Sequence, residues 1–245
     1  MQIIGILLLG FVIWFGFGDR GEAQVVSAFD LHALVMVLVG SLSAVLVSSS
    51  GTTAIRTISC LRELVPGLRR FRQLTATMDS ERTQIESLWR EGKRSQALAI
   101  SESSQFDATR RMVDLLLSRA PQVASAKCYL ELRHEEIARW QPAISNWEML
   151  SKLGPAFGMV GTITGMIRLF QNMSADKLNI GAAMSLALLA TLYGVAFGAG
   201  VAGPVGHFLN NLLDERLGLF ERFEKSTNEL VARAGGAPRT ESGAV

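Results

Sequence analysis

Four long apolar stretches constrain the fold of this chain more than any other feature of its sequence. They cover residues 1–18, 31–51, about 150–173 and 180–206. Because a helix rises 1.5 Å per residue, roughly 20 apolar residues cross the hydrocarbon core of a membrane. Each stretch meets or nearly meets that length. The sequence therefore predicts an all-α, polytopic membrane protein with four transmembrane helices and a helical cytoplasmic domain.

The first apolar stretch is short for a membrane span, and a secretory signal peptide is the alternative. A signal peptide needs a positively charged segment before its apolar part. The first basic residue of this chain is Arg20, which follows the apolar stretch. We therefore favour a transmembrane helix.

Basic residues predict the orientation of the chain in the membrane. The loop between the first two stretches contains only Arg20, whereas residues 51–150 contain fifteen Lys and Arg residues, and further basic residues follow the fourth stretch. By the positive-inside rule the long segment and both termini are cytoplasmic. Cys60 and Cys128 then face a reducing compartment, so no disulfide is expected.

These spans divide the chain into four parts. Residues 1–51 are transmembrane helices 1 and 2 with a short periplasmic loop, and 52–148 are a cytoplasmic helical domain. Residues 149–206 are transmembrane helices 3 and 4, and 207–245 are a helical tail with a disordered end. In the cytoplasmic domain Gly92 is expected to end a helix, and Pro142 to kink a helix or to begin one.

The third and fourth stretches are rich in small residues at helical spacing. The glycines are Gly154, Gly158, Gly161, Gly165, Gly194 and Gly198. Small residues four positions apart let helix backbones approach closely, which predicts tight packing between helices. Packing within the four-helix unit alone would account for the pattern.

Polar residues also lie at membrane depth in these two stretches. Thr162 and Thr191 fall near the middle of helices that we expect to pair antiparallel, and Tyr193 follows Thr191. A threonine in a helix often bonds a carbonyl one turn back, so each hydroxyl has a purely structural explanation. Side by side, the two would present oxygens at one level.

None of the four stretches carries an acidic residue in its middle. Ion carriers and proton relays usually use Asp, Glu or His inside the bilayer. If this protein moves cations, the carboxylate must come from another chain. Arg168 is the one charge inside a span, near its outer end, where we favour snorkelling to the interface.

The sequence gives little support for other functions. It has three scattered histidines, two unpaired cysteines and no G-x-S-x-G, H-E-x-x-H or P-loop motif, so neither an enzyme, a metal site nor a cofactor is expected. The net charge of +2 does not suggest nucleic acid. An arginine cluster at residues 62–72 indicates contact with anionic lipid heads.

The stretches GPAFGMVGTITGMIRLFQNM and IGAAMSLALLATLYGVAFGAGVAGPVG resemble the third and fourth spans of the MotA/PomA stator proteins of the bacterial flagellar motor. The resemblance covers almost the whole chain, including FDLHALVMVLVGS in the second stretch. It implies five copies surrounding two copies of a MotB/PomB-type partner, which has one membrane helix and a peptidoglycan-binding domain. That helix would carry the missing ion-binding aspartate.

The resemblance also assigns roles to residues. Pro155 and Pro204 match the two prolines that couple ion flow to movement in this family. Thr162 and Thr191 match positions along the ion path, with Tyr193 beside them. Arg90, with Glu102 if one or two residues are inserted, matches charged residues that contact a FliG-type rotor protein. A solvated charged face is the alternative for those two.

Three features depart from the family pattern: Lys152 replaces an acidic residue, Arg168 interrupts an apolar run, and the tail is short. The transported ion, H⁺ or Na⁺, stays open. Two other functions also stay open. One is a TolQ/ExbB-like energiser of envelope machinery, and the other is a passive membrane scaffold.

Overall fold

The computed structural model describes residues 31–61, 70–172 and 180–236, and nearly all of them are helical. In chain order the helices of this part are α1 (Leu31–Ser48), α2 (Gly51–Ser59), α3 (Arg70–Arg90), α4 (Arg94–Ser103), α5 (Asp107–Leu117), α6 (Gln122–Asn172), α7 (Ile180–Val195), a π-helical segment (Ala196–Ala202) and α8 (Gly203–Gly236). The same residues contain no β-strand. The predicted all-α fold class is confirmed.

Three helical stretches among the described residues are long and apolar enough to cross a membrane: Leu31–Ser48, Gln122–Gln171 and Met184–Arg233. They contain the second, third and fourth apolar stretches of the sequence. The first stretch, most of the arginine cluster and residues 237–245 lie outside the described residues. The count of four spans and the disordered end of the tail therefore stay predictions.

The chain forms two compact units. The first comprises residues 1–68 and 142–210, and the second comprises residues 69–141 and 211–245. The first unit contains the described apolar helices, and the second contains most of the charged insert and of the tail.

In the first unit, α1 contacts both α6 and α7. Its Ala33 and Val37 are completely buried, and they form an apolar cluster with residues of α7: Leu186, Leu189 and Ala190. Gly40 faces α6, where a Cβ atom built on it would lie 2.5 Å from the Phe157 ring. Only glycine permits this approach. The helix α1 therefore packs against the glycine-rich pair.

Asn146 on α6 joins the end of α1 to α2. Its side-chain oxygen accepts a hydrogen bond of 2.9 Å from Ser49, and its side-chain nitrogen donates one of 2.8 Å to Thr57. The Trp147 indole nitrogen donates to the Thr57 carbonyl at 3.1 Å. Asn146 and Trp147 are buried, so these bonds satisfy groups that water does not reach. They hold the α1–α2 corner on α6.

The second unit has its own apolar core, formed by α3, α5 and parts of α6 and α8. Its largest buried side chains are Tyr129, Phe223, Met78, Ile85 and Met112. The Tyr129 hydroxyl lies 2.9 Å from the Thr227 hydroxyl, which itself donates to the Phe223 carbonyl at 2.7 Å. Tyr129 is therefore the donor to Thr227. This buried bond connects α6 to α8.

Gly92 ends α3, as predicted. Its φ is +79°, the Lys93 N–H donates to the Leu88 carbonyl at 2.9 Å, and the Gly92 N–H donates to the Trp89 carbonyl at 3.2 Å. These two bonds form a Schellman motif, in which glycine takes the left-handed position without strain.

Pro142 does not begin a new helix. Helix α6 is continuous from Gln122 to Asn172, with Pro142 and Pro155 both inside it. The fourth apolar stretch likewise continues through α7, the π-helical segment and α8 into the tail, which confirms the predicted helical extension.

Candidate functional site

Helices α6 and α7 pack through the glycines that the sequence singled out. A Cβ atom on Gly154 would lie 2.7 Å from the Gly194 carbonyl oxygen and 2.8 Å from the Gly198 Cα. On Gly158 it would lie 3.2 Å from the Thr191 Cα. The two distances at Gly154 are ones that real Cβ atoms almost never show, and the one at Gly158 is tighter than most, so the helices touch along their main chains.

The order of these contacts gives the direction of the two helices. Gly154 faces Gly194 and Gly198, Gly158 faces Ala190 to Gly194, and Gly161 faces Ala190. As the α6 numbers rise, the α7 numbers fall, so the pair is antiparallel. Gly165 is also buried, one turn beyond Gly161.

The antiparallel pairing brings two threonines close to one level. Gly161 faces Ala190, and Thr162 and Thr191 lie one residue beyond that contact in opposite directions, which separates them by about 3 Å along the helix axes. The Thr162 hydroxyl donates to the Met159 carbonyl at 2.6 Å, and the Thr191 hydroxyl donates to the Ala187 carbonyl at 3.3 Å. Both protons are thus held by the helix itself. Each oxygen keeps lone pairs that can accept from water or bind a cation.

Tyr193 follows Thr191 by two residues on α7. It is partly buried and packs against the cluster that α1 and α7 share, around Ala33, Val37 and Ala190. The sequence grouped Tyr193 with the threonines because of its number, but residues two positions apart on a helix point in different directions.

Pro155 touches Gly198, whose carbonyl is bonded by the residue next to Pro204. The Pro155 ring touches Gly198, the third residue of the π-helical segment, so closely that no side chain would fit there. The Gly198 carbonyl accepts a hydrogen bond from the Gly203 N–H, five residues later, and Pro204 follows at once. Gly198 therefore contacts Pro155 through its Cα, and its carbonyl accepts a hydrogen bond from the residue just before Pro204.

The backbone chemistry of proline accounts for both features. Proline has no N–H, so Pro155 leaves the Ser151 carbonyl without its usual partner in the helix. That carbonyl oxygen faces Gly198, at 2.7 Å from the place that a Cβ would occupy. Pro204 cannot bond one turn back either, and the wider π-helical turn precedes it. The break at Pro155 thus faces Gly198, and the break at Pro204 falls six residues after Gly198 in the chain.

The outer part of α6 carries an uncovered apolar surface. Its exposed residues are Met159, Val160, Ile163, Met166, Ile167 and Phe170. Thr162 lies among them and is partly exposed. An apolar helix face of this kind, outside water, contacts lipid or another helix.

Two charged residues of the first unit depart from the family pattern. Lys152 and Arg168 are both exposed, and Arg168 forms no ion pair with any residue that the structure describes. Arg168 stands one turn after Thr164 on the uncovered part of α6. Nothing in the described contacts explains its charge.

Arg90 and Glu102 are not brought together. Arg90 is the last residue of α3 and pairs with Glu86 of the same helix. Glu102 is exposed at the far end of α4, next to Ser104, whose hydroxyl donates to Glu81 of α3 at 2.6 Å. Glu81 lies nine residues before Arg90, a rise of about 13 Å along the helix. Arg90 thus lies just before the start of α4, whereas Glu102 lies near its end.

Sequence reasoning missed the π-helical segment and the Asn146 contacts. The AFGAGVAGP run hints at an irregular helix through its glycines, but helical periodicity does not distinguish a π-helical turn from an α-helical one. No local sequence pattern predicts the contacts of Asn146, because its partners Ser49 and Thr57 are distant in sequence. The described residues contain no cluster of three or more metal-binding side chains.

Comparisons with known proteins agree with this geometry. Residues 105–222 match the model of the MotA/TolQ/ExbB proton channel family. Motility protein A of Borreliella burgdorferi is 28% identical over 172 residues, which are 68% of this chain and 62% of that protein. Motility protein A of Aquifex aeolicus is 39% identical over 71 residues, which are 29% and 28% of the two chains. Chemotaxis protein PomA of Vibrio alginolyticus is 40% identical over 63 residues, which are 26% and 24%.

Two solved stator complexes have the same fold. The C. jejuni MotAB structure has a TM-score of 0.76 at 13% identity, and the Bacillus subtilis MotAB stator complex has 0.73 at 18%. Each comparison covers 94% of this chain and 88% of the other chain. The curated relatives are matched over 24% to 62% of their own length.

The fold, the helix pair and these matches define the class: the chain belongs to the MotA/TolQ/ExbB proton channel family. Within it, the relatives are motility protein A and PomA, so the chain is of the MotA/PomA type. The resemblance that the sequence motifs carried is confirmed. This family is a class of ion channels and not of enzymes.

Proposed function

We propose that this chain is a stator subunit of the bacterial flagellar motor, which uses H⁺ or Na⁺ flux to generate torque. The observation that carries the proposal is the α6–α7 pair. It is packed backbone to backbone, it carries Thr162 and Thr191 close to one level, and its apolar stretches, residues 150–173 and 180–206, have no carboxylate. Such a pair needs a second protein to form an ion site.

The second protein is a MotB/PomB-type partner with a single membrane helix that carries an aspartate. The uncovered apolar surface of α6, with Thr162 inside it, suits a neighbouring helix. The similarity of the fold to MotAB complexes supports this choice. The chain forms a ring, which we propose to be a homopentamer, around the partner's helices.

In the proposed topology four helices cross the inner membrane, residues 1–18 form the first, and both termini are cytoplasmic. Residues 52–148 and the tail then face the cytoplasm, where a FliG-type rotor protein is available. The basic residues of those segments support this orientation. The short arginine-rich region after α2 contacts anionic lipid heads.

Each ion neutralises the partner's aspartate and so changes which residues of this chain the aspartate side chain contacts. Thr162 and Thr191 supply oxygens beside the aspartate. Pro155, Gly198 and Pro204 let the α6–α7 pair bend at one place, because two hydrogen bonds of the helix ladder are already missing there. A potential of 100 mV contributes about 2.3 kcal/mol per charge, enough to bias such a step.

The test is complementation in a motile strain that lacks its own stator. The chain is produced with its MotB-type partner, and swimming is measured at several sodium concentrations, with and without a protonophore. Rotation that responds to either treatment supports the stator function and identifies the ion. Ion-dependent rescue of envelope functions without rotation supports a TolQ/ExbB-like energiser, and no ion flux supports a scaffold.

A further inference from the structure

The second unit contains a cavity between its helices. The cavity has a volume of about 310 Å³, and it is lined by residues of α3, α6 and α8 together with the α4–α5 turn and the start of α5. Protein interiors have few voids larger than a water molecule, so a cavity of this size is a distinct feature of the unit. Its volume also reaches the range of small-molecule sites, about 300–1,000 Å³.

One part of the lining is apolar and well buried. It consists of five side chains, each at most 7% exposed: Met78, Phe106, Ala108, Leu132 and Phe220. Apolar and aromatic side chains with a few polar groups among them are typical of ligand sites, where they contact the apolar body of the bound molecule.

Another part of the lining is a pair of arginines, Arg139 of α6 and Arg216 of α8. The Arg216 Nε lies 3.0 Å from Oε1 of Glu136, and the same oxygen accepts a hydrogen bond of 3.2 Å from the Trp140 indole nitrogen. The side chains of Glu136 and Arg216 are 11% and 16% exposed. One carboxylate oxygen therefore serves both a poorly solvated guanidinium and an indole N–H.

The two arginines repel each other beside this carboxylate. Burial lowers the pKa of Arg216, the charge of Glu136 raises it, and the positive charge of Arg139 lowers it again. An anionic group placed beside both arginines would offset that repulsion. Guanidinium groups bind carboxylates and phosphates through two parallel hydrogen bonds, which suits them to this task.

The other two carboxylates of the lining, Asp107 and Glu135, are balanced by different groups. Glu135 lies 3.9 Å from Arg111 of α5. The contact with the Cys128 sulfur raises the pKa of Arg111, and the charges of Glu135 and Asp107 raise it further. Asp107 also lies in the first turn of α5, where the helix dipole favours a negative charge. The arginine pair is therefore the part of the lining that favours an anion.

We propose that this cavity binds a small organic anion, with its carboxylate or phosphate between Arg139 and Arg216. Its apolar body packs against Phe106, Leu132 and Phe220. An ammonium compound would meet two cations at that place, and inorganic phosphate would make no use of the apolar side chains. The site lies within the second unit, and the inference does not depend on the proposed stator function.

The experiment measures binding of para-fluorophenylacetate to the purified full chain by fluorine NMR. We expect saturable line broadening, and we expect para-fluorophenylacetamide, which has the same shape without the charge, to bind at least about tenfold more weakly. Para-fluorophenyl phosphate compares the two head groups, and saturable binding of either anion supports the site. Tighter binding of the amide, or of para-fluorophenethylamine, would overturn the inference.

Two substitutions test the two parts of the cavity. Arg139→Gln removes an exposed cation, and Ala108→Leu places a larger side chain in the cavity. Each should weaken binding of the anion about tenfold or more. Arg133→Gln is the matched control, because Arg133 is on the same helix but outside the lining, and it should bind like the unmodified chain.

Thermal unfolding of each variant shows whether it is folded. If Ala108→Leu does not fold, Arg139→Gln decides the result, since its side chain is at the surface. Undiminished binding in the folded variants would overturn the inference, as would an equal loss in Arg133→Gln. The absence of saturable binding of both anions to the unmodified chain would mean that the cavity holds water only.

Discussion

The ring of Pro155 on α6 rests directly on the Cα of Gly198 in the π-helical segment. The Ser151 carbonyl, which Pro155 deprives of a helical partner, faces the same glycine. The place where α6 lacks a hydrogen bond is thus the place where the neighbouring helix widens. A bend in α6 at Pro155 therefore changes the contact that Gly198 of the π-helical segment makes with α6.

Replacing Gly198 with alanine should separate the two helices. The new Cβ would overlap the Pro155 ring and lie 2.7 Å from the Ser151 oxygen, so backbone must move. We expect a loss of about 1–3 kcal/mol in the free energy of unfolding, as for other overpacked sites. Thermal unfolding of the purified complex measures it.

Gly218→Ala is the matched control for that substitution. Gly218 lies inside α8, and a Cβ there would meet no atom within 4 Å. Alanine should raise stability by about 0.5–1 kcal/mol, because glycine is the poorer helix former. Equal effects of the two substitutions would show that the contact with Pro155 has no special role.

Pro204→Ala restores a backbone N–H at the start of α8. This donor can bond a carbonyl of the π-helical segment, which should stiffen the junction and slow movement. We expect at least a tenfold loss of swimming with unchanged membrane insertion. Pro142→Ala is the control: Pro142 is also inside a helix but does not touch Gly198. If both variants swim normally, the coupling role of Pro204 is wrong.

Thr191→Val and Thr162→Val remove hydroxyl oxygens and keep the shape of the side chain. Both hydroxyls donate within their own helix, so the fold should change little. Ion flux through the reconstituted complex should fall, because the two hydroxyl oxygens that we propose to lie beside the partner's carboxylate are removed. Thr164→Val removes a similarly bonded hydroxyl and should leave the flux unchanged. A fall of equal size in Thr164→Val would argue against a specific ion path.

The ion pair between Glu136 and Arg216 should behave as a buried pair in the second unit. Their side chains are 11% and 16% exposed, and the Arg216 Nε lies 3.0 Å from the Glu136 carboxylate. Glu136→Leu should lower the free energy of unfolding by about 3–5 kcal/mol, since it leaves a poorly solvated charge.

The double variant Glu136→Leu with Arg216→Met tests the physical reason for that loss. Removing both charges should restore most of the stability, because no buried charge is then left without a counter-charge. Chemical denaturation of the three variants measures the difference. Additive losses in the double variant would mean that the two residues act separately.

Several features of this protein followed from local sequence pattern. Apolar length predicted the helices of the membrane part, glycine spacing predicted a close helix pair, and Gly92 predicted the end of α3. Each depends on residues within a few turns of one another, where the 3.6-residue period decides which side chains share a face. The family resemblance was carried by the same local motifs.

Other features depended on residues that the sequence separates widely. The contact of Pro155 with Gly198 and the Asn146 bonds to Ser49 and Thr57 each join different helices. Arg90 and Glu102, which the resemblance assigns to the rotor contact, are separated by most of the length of α4, and their role stays a prediction.

The sequence by itself determined the helices, their apolar faces and the absence of a carboxylate from the paired spans. Only the tertiary structure decided which glycine meets which proline, that Tyr193 packs against the shared cluster of α1 and α7, and that Asn146 bonds Ser49 and Thr57. The physical reason is that helix formation is governed by neighbours along the chain, whereas the register between packed helices is set by the shapes of both surfaces together.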